Sequence, residues 1–251
     1  QNDYTVIATA RDITKAKQFS WFSDVQFVSA DFHKEETQFK ITEGTGLIHL
    51  AWQGLPNYTS LFHFEENLPQ NYKFVKSLVS QGVQQVLITG TCFEYGFQSG
   101  PIHSTVKPQP KNPYAAAKDS LRQYLEFLAK DLPFTLQWAR LFYMYGKGQS
   151  PKSVLSQLDK EIESGASEFN MSGGEQLRDY LPVEEVAQQL FDLYNTREAG
   201  VYNVCSGEPI SVKRLVEKRI AERSSNIKPS LGYYPYPDYE PMAFWGVRDD
   251  R

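Results

Sequence analysis

The chain of 251 residues is long enough for one large domain, or for a domain with a smaller lobe. Its net charge of −4 argues against a bulk attraction to nucleic acid or to an anionic membrane. No apolar run is long enough to span a bilayer, and no secretory leader is recognised at the start of the sequence. The two cysteines, Cys92 and Cys205, form no CxxC pair. These features predict a cytoplasmic protein that binds neither nucleic acid nor membranes.

Short apolar runs alternate with helical stretches along the chain. We expect strands at Thr5–Thr9, Gln26–Val28, Gly46–Leu50, Gln85–Thr89, Phe134–Arg140 and Gly200–Val204. We expect helices at Ser60–Gln81, Pro113–Lys130, Pro151–Ser164 and Pro182–Asn195, with a later one beginning near Ser211. The alternation predicts an α/β fold with a doubly wound parallel sheet, because parallel strands need crossover helices. Pro69 predicts a kink or break in the first helix, and the chain after Lys228, rich in Pro and Tyr, is expected to be irregular.

A doubly wound sheet that binds a dinucleotide opens with a strand, a Gly-rich turn and a helix whose N-terminus holds the pyrophosphate. The sequence contains no such turn near its start, and Gln1–Tyr4 instead resembles the end of a first helix. We therefore expect that roughly one βα unit of the fold is absent from this sequence. The alternative is a fold that never had this unit.

Two segments carry candidate chemistry: Gly90–Gly96, which follows a buried strand, and Asn112–Lys118, which opens a helix. Tyr114 and Lys118 are four residues apart and therefore share a helix face. We expect the ammonium to lower the pKa of the phenol, so that Tyr114 can act as a general acid or base. Thr91 follows the strand and can align the substrate oxygen that receives the proton. The alternatives are a surface Tyr–Lys pair and a turn threonine bonded to its own backbone.

Thr91, Tyr114 and Lys118 resemble the catalytic set of the extended short-chain dehydrogenases/reductases. Further segments resemble that family in the same order: Leu47–Ala51, Trp138–Phe142, Tyr145–Gly146, Arg178–Ala187 and Val201–Gly207. The sequence is most similar to the NAD(P)-dependent epimerase/dehydratase group, which acts on nucleotide sugars. The resemblance implies a Rossmann-type NAD(P)-binding domain at 1–145 and 180–206, with a substrate-binding lobe at 146–179 and 207–251. It also implies a homodimer formed through the helices at 60–81 and 113–130.

The end of the first strand bears on the choice of cofactor. Arg11 follows Ala10, where enzymes that prefer NAD usually carry an acid, and an arginine there suits the 2′-phosphate of NADP. We therefore favour NADP, although Asp12 keeps NAD possible and an exposed arginine without a ligand is the alternative. Asp31 resembles the acid that contacts the adenine edge, with a turn or helix-cap aspartate as the alternative. The resemblance implies further cofactor contacts at Phe32, Leu50, Ala51, Trp52, Asn67, Thr89, Tyr114 and Lys118.

The resemblance places the substrate against Thr91, Cys92, Phe93, Tyr143 and Arg178. Arg178 is the candidate for the nucleotide diphosphate, because a guanidinium matches phosphate oxygens, and an ion pair with Asp179 or Glu184 is its alternative. Tyr143 stands where the family usually has an asparagine, which puts an inherited diphosphate contact in doubt. Cys92 is one position away from the cysteine of related epimerising enzymes, and we expect its thiol to be buried and inert.

The residues after Thr91 narrow the expected reaction. The 4,6-dehydratases carry Asp-Glu there, whereas this chain has Cys92-Phe93, and elimination of water needs an added acid and base. We therefore expect NADPH-dependent reduction of the 4-keto group of a nucleotide-linked deoxysugar. The alternatives are an epimerase with tightly bound NAD(P) and a non-catalytic dinucleotide-binding protein. No metal site is predicted, because the four histidines lack the spacing of metal ligands.

Overall fold

The computed structural model describes residues 4–33, 39, 41–236 and 240–248. The strands in this part are β1 Ile7–Ala10, β2 Gln26–Ser29, β3 Gly46–His49, β4 Gln85–Thr91, β5 Gly100–Ile102, β6 Thr135–Leu141, β7 Tyr143–Tyr145, β8 Glu168–Asn170, β9 Leu177–Pro182, β10 Gly200–Val204, β11 Pro209–Ser211, β12 Lys228–Ser230 and β13 Phe244–Gly246. The α-helices are α1 Ile13–Ala16, α2 Leu68–Ser80, α3 Pro113–Asp131, α4 Val154–Glu163, α5 Val183–Thr196 and α6 Val212–Glu222. A π-helical turn spans His63–Asn67, and 3₁₀ turns span Ser20–Asp24 and Cys92–Tyr95. Most of Gln1–Tyr4, expected to end a helix, lies outside the described residues.

The central sheet is parallel and has the strand order β10-β6-β4-β3. A second parallel pair joins β1 to β2. Pairing of β4 with β6 runs the full length of both strands, from Gln85 beside Thr135 to Thr91 beside Leu141. Because the paired strands are parallel, the carboxyl ends of β3, β4 and β6 lie at one edge of the sheet. Ligand sites of open α/β sheets form at this edge, and Thr91 stands on it.

Helices cover both faces of the central sheet. On β4, Val86 and Ile88 pack into the cluster formed by α2 and α3, whereas Leu87 packs against α5 on the opposite face. This alternation follows from the two-residue period of a strand. Burial on both faces explains why β4 reads as a continuous apolar run in the sequence. The predicted doubly wound, Rossmann-type parallel sheet is confirmed.

A third apolar cluster lies away from the central sheet, between α4, α6 and the strands β8 and β12. The predicted irregularity after Lys228 is wrong for two segments, because β12 pairs in parallel with β8, and β13 pairs in parallel with β5. The apolar side chains of this region account for the order: Ile227 and Phe244 are each 4% exposed. The division into a nucleotide-binding domain and a lobe stays a prediction.

The segment predicted as one helix at Ser60–Gln81 divides in two. It begins as the π-helical turn and continues as α2, with Pro69 in the first turn of α2. The backbone stays helical through Asn67 and Leu68, so the type of helix changes just before Pro69, whereas the kink or break at this proline stays a prediction. The other predicted boundaries shift by a few residues, most usefully at β4, which extends to Thr91. Among the described helices, none combines the length and apolarity that crossing a membrane requires.

Candidate active site

The end of β4 fixes the position of Thr91. The residue is 7% exposed, and its side chain caps the 3₁₀ turn that follows by accepting a hydrogen bond from the Phe93 backbone N–H at 3.3 Å. The alternative of a turn threonine bonded to its own backbone is therefore observed. It does not exclude the chemical role, because the hydroxyl retains its own hydrogen, and Thr91 and Tyr114 share a side-chain hydrogen bond.

Helix α3 begins where the sequence indicates. The Asn112 side chain accepts from the Ala115 backbone N–H at 2.9 Å, and Pro113 occupies the first turn. Tyr114 therefore stands at the start of the helix, 7% exposed, with its ring against those of Tyr58, Trp52 and His63. The alternative of a surface Tyr–Lys pair on this helix is wrong.

Lys118 is 2% exposed and lies one helical turn beyond Tyr114. Its Nζ donates to the Thr89 backbone carbonyl at 2.7 Å and lies 4.2 Å from the ring centroid of Trp52. Burial lowers the pKa of Lys118 to about 7, and the carboxylate of Glu94 opposes this shift. The structure thus brings Thr91, Tyr114 and Lys118 together at the carboxyl end of β4.

The expected direction of the pKa shift of Tyr114 is wrong. Burial raises the pKa of the phenol well above its usual range, and the hydrogen bond with Thr91 opposes this only in part. Desolvation dominates because a buried phenolate would lose its hydration. Burial also lowers the pKa of Lys118, so this lysine carries less positive charge with which to stabilise the phenolate. At neutral pH Tyr114 therefore carries its proton, which is the form that donates to an alkoxide.

A chain of buried polar groups supports the site from the π-helical turn. Trp52 Nε1 donates to His63 Nδ1 at 3.0 Å, and His63 Nε2 lies 2.7 Å from the Asn57 carbonyl. His63 is therefore the neutral tautomer that carries its proton on Nε2. Asn67 Nδ2 donates to the Gln53 carbonyl at 2.9 Å, whereas its Oδ1 is buried without a hydrogen-bond partner among the described residues. This amide oxygen is a candidate contact for a bound cofactor or an ordered water.

The residues expected to hold the adenosine half of the cofactor line the ends of β1 to β3. Arg11 is exposed directly after β1, and Asp31 accepts from the His33 backbone N–H at 3.2 Å, as the turn alternative predicts. Phe32 is partly buried, and its ring stacks on that of Phe74 with centroids 4.6 Å apart. Leu50 is 60% exposed at the end of β3, beside exposed Ala51.

Three of the expected substrate residues form an aromatic and cationic wall beyond Thr91. Tyr143 OH donates to Glu240 at 2.7 Å, and Arg178 pairs with the same carboxylate at 2.9 Å. The ion-pair alternative for Arg178 is therefore observed, although with Glu240 rather than with Asp179 or Glu184. The ring of Phe93 packs edge-on against Tyr143 with centroids 6.3 Å apart.

Cys92 is 5% exposed and packs in an apolar cluster with Ile102 and Phe142. Burial raises the pKa of its thiol, so the thiolate that nucleophilic or redox chemistry needs is disfavoured. The expected burial of this thiol is confirmed, whereas its inertness stays a prediction. The same packing counts against a substrate contact of this side chain. Among the described residues, no group of three His, Cys, Asp or Glu side chains is placed to hold a metal ion.

Sequence reasoning missed two charged residues of the site. Glu94 accepts from the Thr91 backbone N–H at 2.9 Å, and Thr91-x-x-Glu94 is the spacing of a capping box that the sequence does display. Glu240 is 62 residues from Arg178 in the chain, and no local pattern announces that pair. The described residues supply part of a dinucleotide site: Arg11 is exposed, Leu50 and Ala51 are exposed after β3, and the Asn67 amide oxygen is buried without a partner among them. The Gly-rich turn that would hold the pyrophosphate is not in the sequence.

Comparisons with known proteins agree with this geometry. The family model described as NAD dependent epimerase/dehydratase family matches residues 1–205. The chain is 32% identical over 203 residues to dTDP-6-deoxy-L-talose 4-dehydrogenase (NAD(+)) of Aggregatibacter actinomycetemcomitans, covering 80% of this chain and 75% of that protein. It is 33% identical over 127 residues to GDP-6-deoxy-D-mannose reductase of Pseudomonas aeruginosa, covering 47% of this chain and 40% of that one.

Solved structures show the same fold. The structure of UDP-N-acetylglucosamine 4-epimerase from Methanobrevibacter ruminantium M1, in complex with UDP-N-acetylmuramic acid, superposes with a TM-score of 0.82 at 21% identity. The match covers 91% of this chain and 76% of that one. The family model spans most of the sequence, and the Aggregatibacter relative exceeds 30% identity over most of it. The chain therefore belongs to the NAD dependent epimerase/dehydratase family.

Proposed function

We propose that this protein reduces the 4-keto group of a nucleotide-linked deoxysugar with NADPH. The observation that carries the proposal is the buried Tyr114, which is hydrogen-bonded to Thr91 and lies one turn from Lys118. The names of two relatives describe oxidation or reduction of 6-deoxyhexoses linked to dTDP or GDP. Cys92-Phe93 after the threonine supports simple reduction over dehydration, because it offers no additional acid and base.

Each residue of the site has a separate task in this reaction. NADPH, when bound, supplies the hydride that reduces the ketone carbon. Thr91 aligns the ketone oxygen, and Tyr114 donates its phenolic proton to the alkoxide as it forms. Lys118 contributes positive charge beside the phenol, and its ammonium has the donors to hold the ribose of the cofactor. Trp52 and Asn67 border the same space and bind the nicotinamide half.

The aromatic and cationic wall formed by Phe93, Tyr143 and Arg178 suggests how the nucleotide sugar lies. Arg178 is 3% exposed as a residue, and its guanidinium is held 4.9 Å from the ring centroid of Phe244. Such a fixed fork suits the two phosphates of a nucleoside diphosphate. Phe93 and Tyr143 lie between Arg178 and Thr91, so they are placed to contact the sugar. In this proposal the diphosphate takes the place of Glu240 on Arg178.

Replacement of Tyr114 tests the proposal. The parent should consume NADPH with dTDP- or GDP-linked 4-keto-6-deoxyhexoses, measured by the fall in absorbance at 340 nm. Tyr114→Phe should lower kcat by about 10²- to 10⁴-fold, the contribution of a positioned general acid, while NADPH binding stays unchanged. Tyr4→Phe, at a 47% exposed site outside α2 and α3, is the matched control and should behave like the parent.

The two alternatives give different results in the same assay. An epimerase converts one sugar nucleotide into its 4-epimer with no net consumption of NADPH, and epimerases occur among the relatives. A non-catalytic binding protein binds the cofactor but turns over none of the sugar nucleotides offered. Either outcome contradicts the reductase.

We also propose a homodimer formed through α2 and α3. Tyr124 and Phe127 lie on one face of α3 and are 50% and 63% exposed, and Leu61 beside α2 is 59% exposed. An apolar surface of this kind is typical of an interface. Phe127→Asp should halve the mass measured by light scattering, whereas Phe97→Asp, at an exposed loop site, should not. A monomeric parent overturns this assignment.

The two buried free thiols support a cytoplasmic location.

A further inference from the structure

A buried carboxylate lies directly behind the candidate catalytic threonine. Glu94 is fully buried, and its Oε1 accepts a hydrogen bond from the Thr91 backbone N–H at 2.9 Å. The Trp138 indole N–H lies 3.1 Å from both Glu94 oxygens, and Arg140 Nε donates to Oε2 at 2.7 Å. All of these partners are N–H donors, which suit a carboxylate rather than a protonated acid. Burial raises the pKa of Glu94, and the Arg140 guanidinium opposes that rise.

The surrounding structure is built to admit this carboxylate. Gly90 has no side chain, and a Cβ there would collide with Trp138 Nε1 and with Glu94 Oε1. Arg140 is 1% exposed and lies 4.5 Å from the ring centroid of Tyr95. Because the interior is closely packed, the Glu94 side chain has one place to lie.

The same ion cluster joins the two elements that carry the catalytic set. Arg140 Nη2 lies 3.9 Å from Asp119 Oδ1, and Asp119 directly follows Lys118 on α3. Asp119 Oδ1 is bonded more closely to Arg122, at 2.8 Å, so the contact of Arg140 with α3 is a long one. The close contacts of Glu94 and Arg140 therefore fix mainly the end of β4.

We propose that Glu94 is a positioning residue for the proposed reduction, on which this inference rests: it anchors Thr91 at the strand end and presents a buried negative charge to Lys118 and Tyr114. Support comes from the direction of two shifts, since the Glu94 charge raises the pKa of Lys118 and that of Tyr114. Both directions favour the states that reduction needs, an ammonium and a protonated phenol. His49 lies close enough for the Lys118 charge to lower its pKa further, and it is neutral at pH 7 because burial lowers its pKa to about 4.

The charge role is tested without turnover. In Glu94→Gln, the titration of Lys118, followed by the 13C shift of its Cε and assigned with Lys118→Met, should move to lower pH than in the parent. Glu126→Gln is the matched control, because this carboxylate pairs with Arg122 on the exposed side of α3. An unchanged Lys118 titration in folded Glu94→Gln overturns the charge role. If the parent reduces no ketone, the proposed function fails, whereas this measurement still decides the role of Glu94.

The anchoring role needs a second variant, because glutamine would point its amide at N–H donors and can prevent folding. Glu94→Asp keeps the charge and shortens the side chain, so the carboxylate withdraws from the Thr91 backbone. We expect kcat to fall roughly ten- to hundredfold with little change in KM, because small misplacements of reacting groups are costly. The Lys118 titration should stay close to that of the parent. A parent-like kcat in Glu94→Asp overturns the anchoring role.

Discussion

Lys118 lies over the indole ring of Trp52, with Nζ 4.2 Å from the ring centroid. The indole is itself fixed, because its N–H donates to His63 Nδ1 at 3.0 Å. A desolvated cation–π contact of this kind contributes about 2 kcal/mol or more. Trp52 therefore offsets part of the cost of burying the ammonium, and it links the candidate catalytic lysine to the π-helical turn that precedes α2.

Removal of the Trp52 ring should lower the activity without abolishing it. Trp52→Leu should lower kcat/KM roughly 30-fold, because the ammonium loses a desolvated contact worth about 2 kcal/mol. Trp52→Phe should lose less, since a phenyl ring keeps a π face for the ammonium. Steady-state kinetics at saturating NADPH provide the measurement. Trp21→Leu, at a 40% exposed site, controls for loss of a tryptophan. Equal losses in the leucine and phenylalanine variants would contradict a role for the ring face.

The sequence predicts that Thr91, Tyr114 and Lys118 come together because the signals for this candidate set are local. Asn112-Pro113 marks the start of α3, and the spacing of Tyr114 and Lys118 then places both on one face. The sequence does not predict the sign of the pKa shift of Tyr114, because burial depends on how Trp52 and its neighbours close over the ring. Contacts between distant segments, such as that of Lys118 with Trp52, carry no spacing signal at all. Such contacts exist only once the sheet has brought the strand ends together.

The buried histidine of β3 should make stability depend on pH. His49 Nε2 lies 2.6 Å from Asn71 Oδ1, and burial lowers the pKa of His49 from 6.5 to about 4. Between these values the unfolded chain binds a proton that the folded chain does not, so the free energy of unfolding falls as pH falls from about 6.5 to about 4. The loss from this one group is on the order of 3 kcal/mol at most.

Urea unfolding at pH 7 and at pH 4.5 measures this dependence. His49→Gln should be less stable than the parent at pH 7, but should lose less stability on acidification. His103→Gln, at an exposed site, should lose as much free energy of unfolding between pH 7 and pH 4.5 as the parent does. If His49→Gln and the parent lose the same free energy of unfolding, the buried histidine is not the source of the dependence.

Glu240 should compete with the diphosphate of the substrate. Its carboxylate pairs with Arg178 at 2.9 Å and accepts from Tyr143 OH at 2.7 Å. If the nucleoside diphosphate replaces this carboxylate on Arg178, Glu240→Ala should bind dTDP or GDP about fivefold more tightly, a gain of about 1 kcal/mol. Isothermal titration calorimetry measures the dissociation constant. Glu175→Ala, an exposed carboxylate, should leave binding unchanged. Weaker binding in Glu240→Ala would make the pair a structural support of the site instead.

Arg11 should decide between the two nicotinamide cofactors. The neighbouring Asp12 caps α1 by accepting from the Lys15 backbone N–H at 3.0 Å, so its carboxylate is engaged away from a ribose. The exposed guanidinium of Arg11 then remains for the 2′-phosphate, which its fork matches. Arg11→Ala should raise KM for NADPH roughly tenfold or more and leave KM for NADH nearly unchanged. Lys15→Ala removes a nearby exposed cation and should shift both constants little. If the parent uses NADH better than NADPH, or if Arg11→Ala leaves the cofactor preference unaltered, Arg11 is an exposed arginine that does not bind the 2′-phosphate.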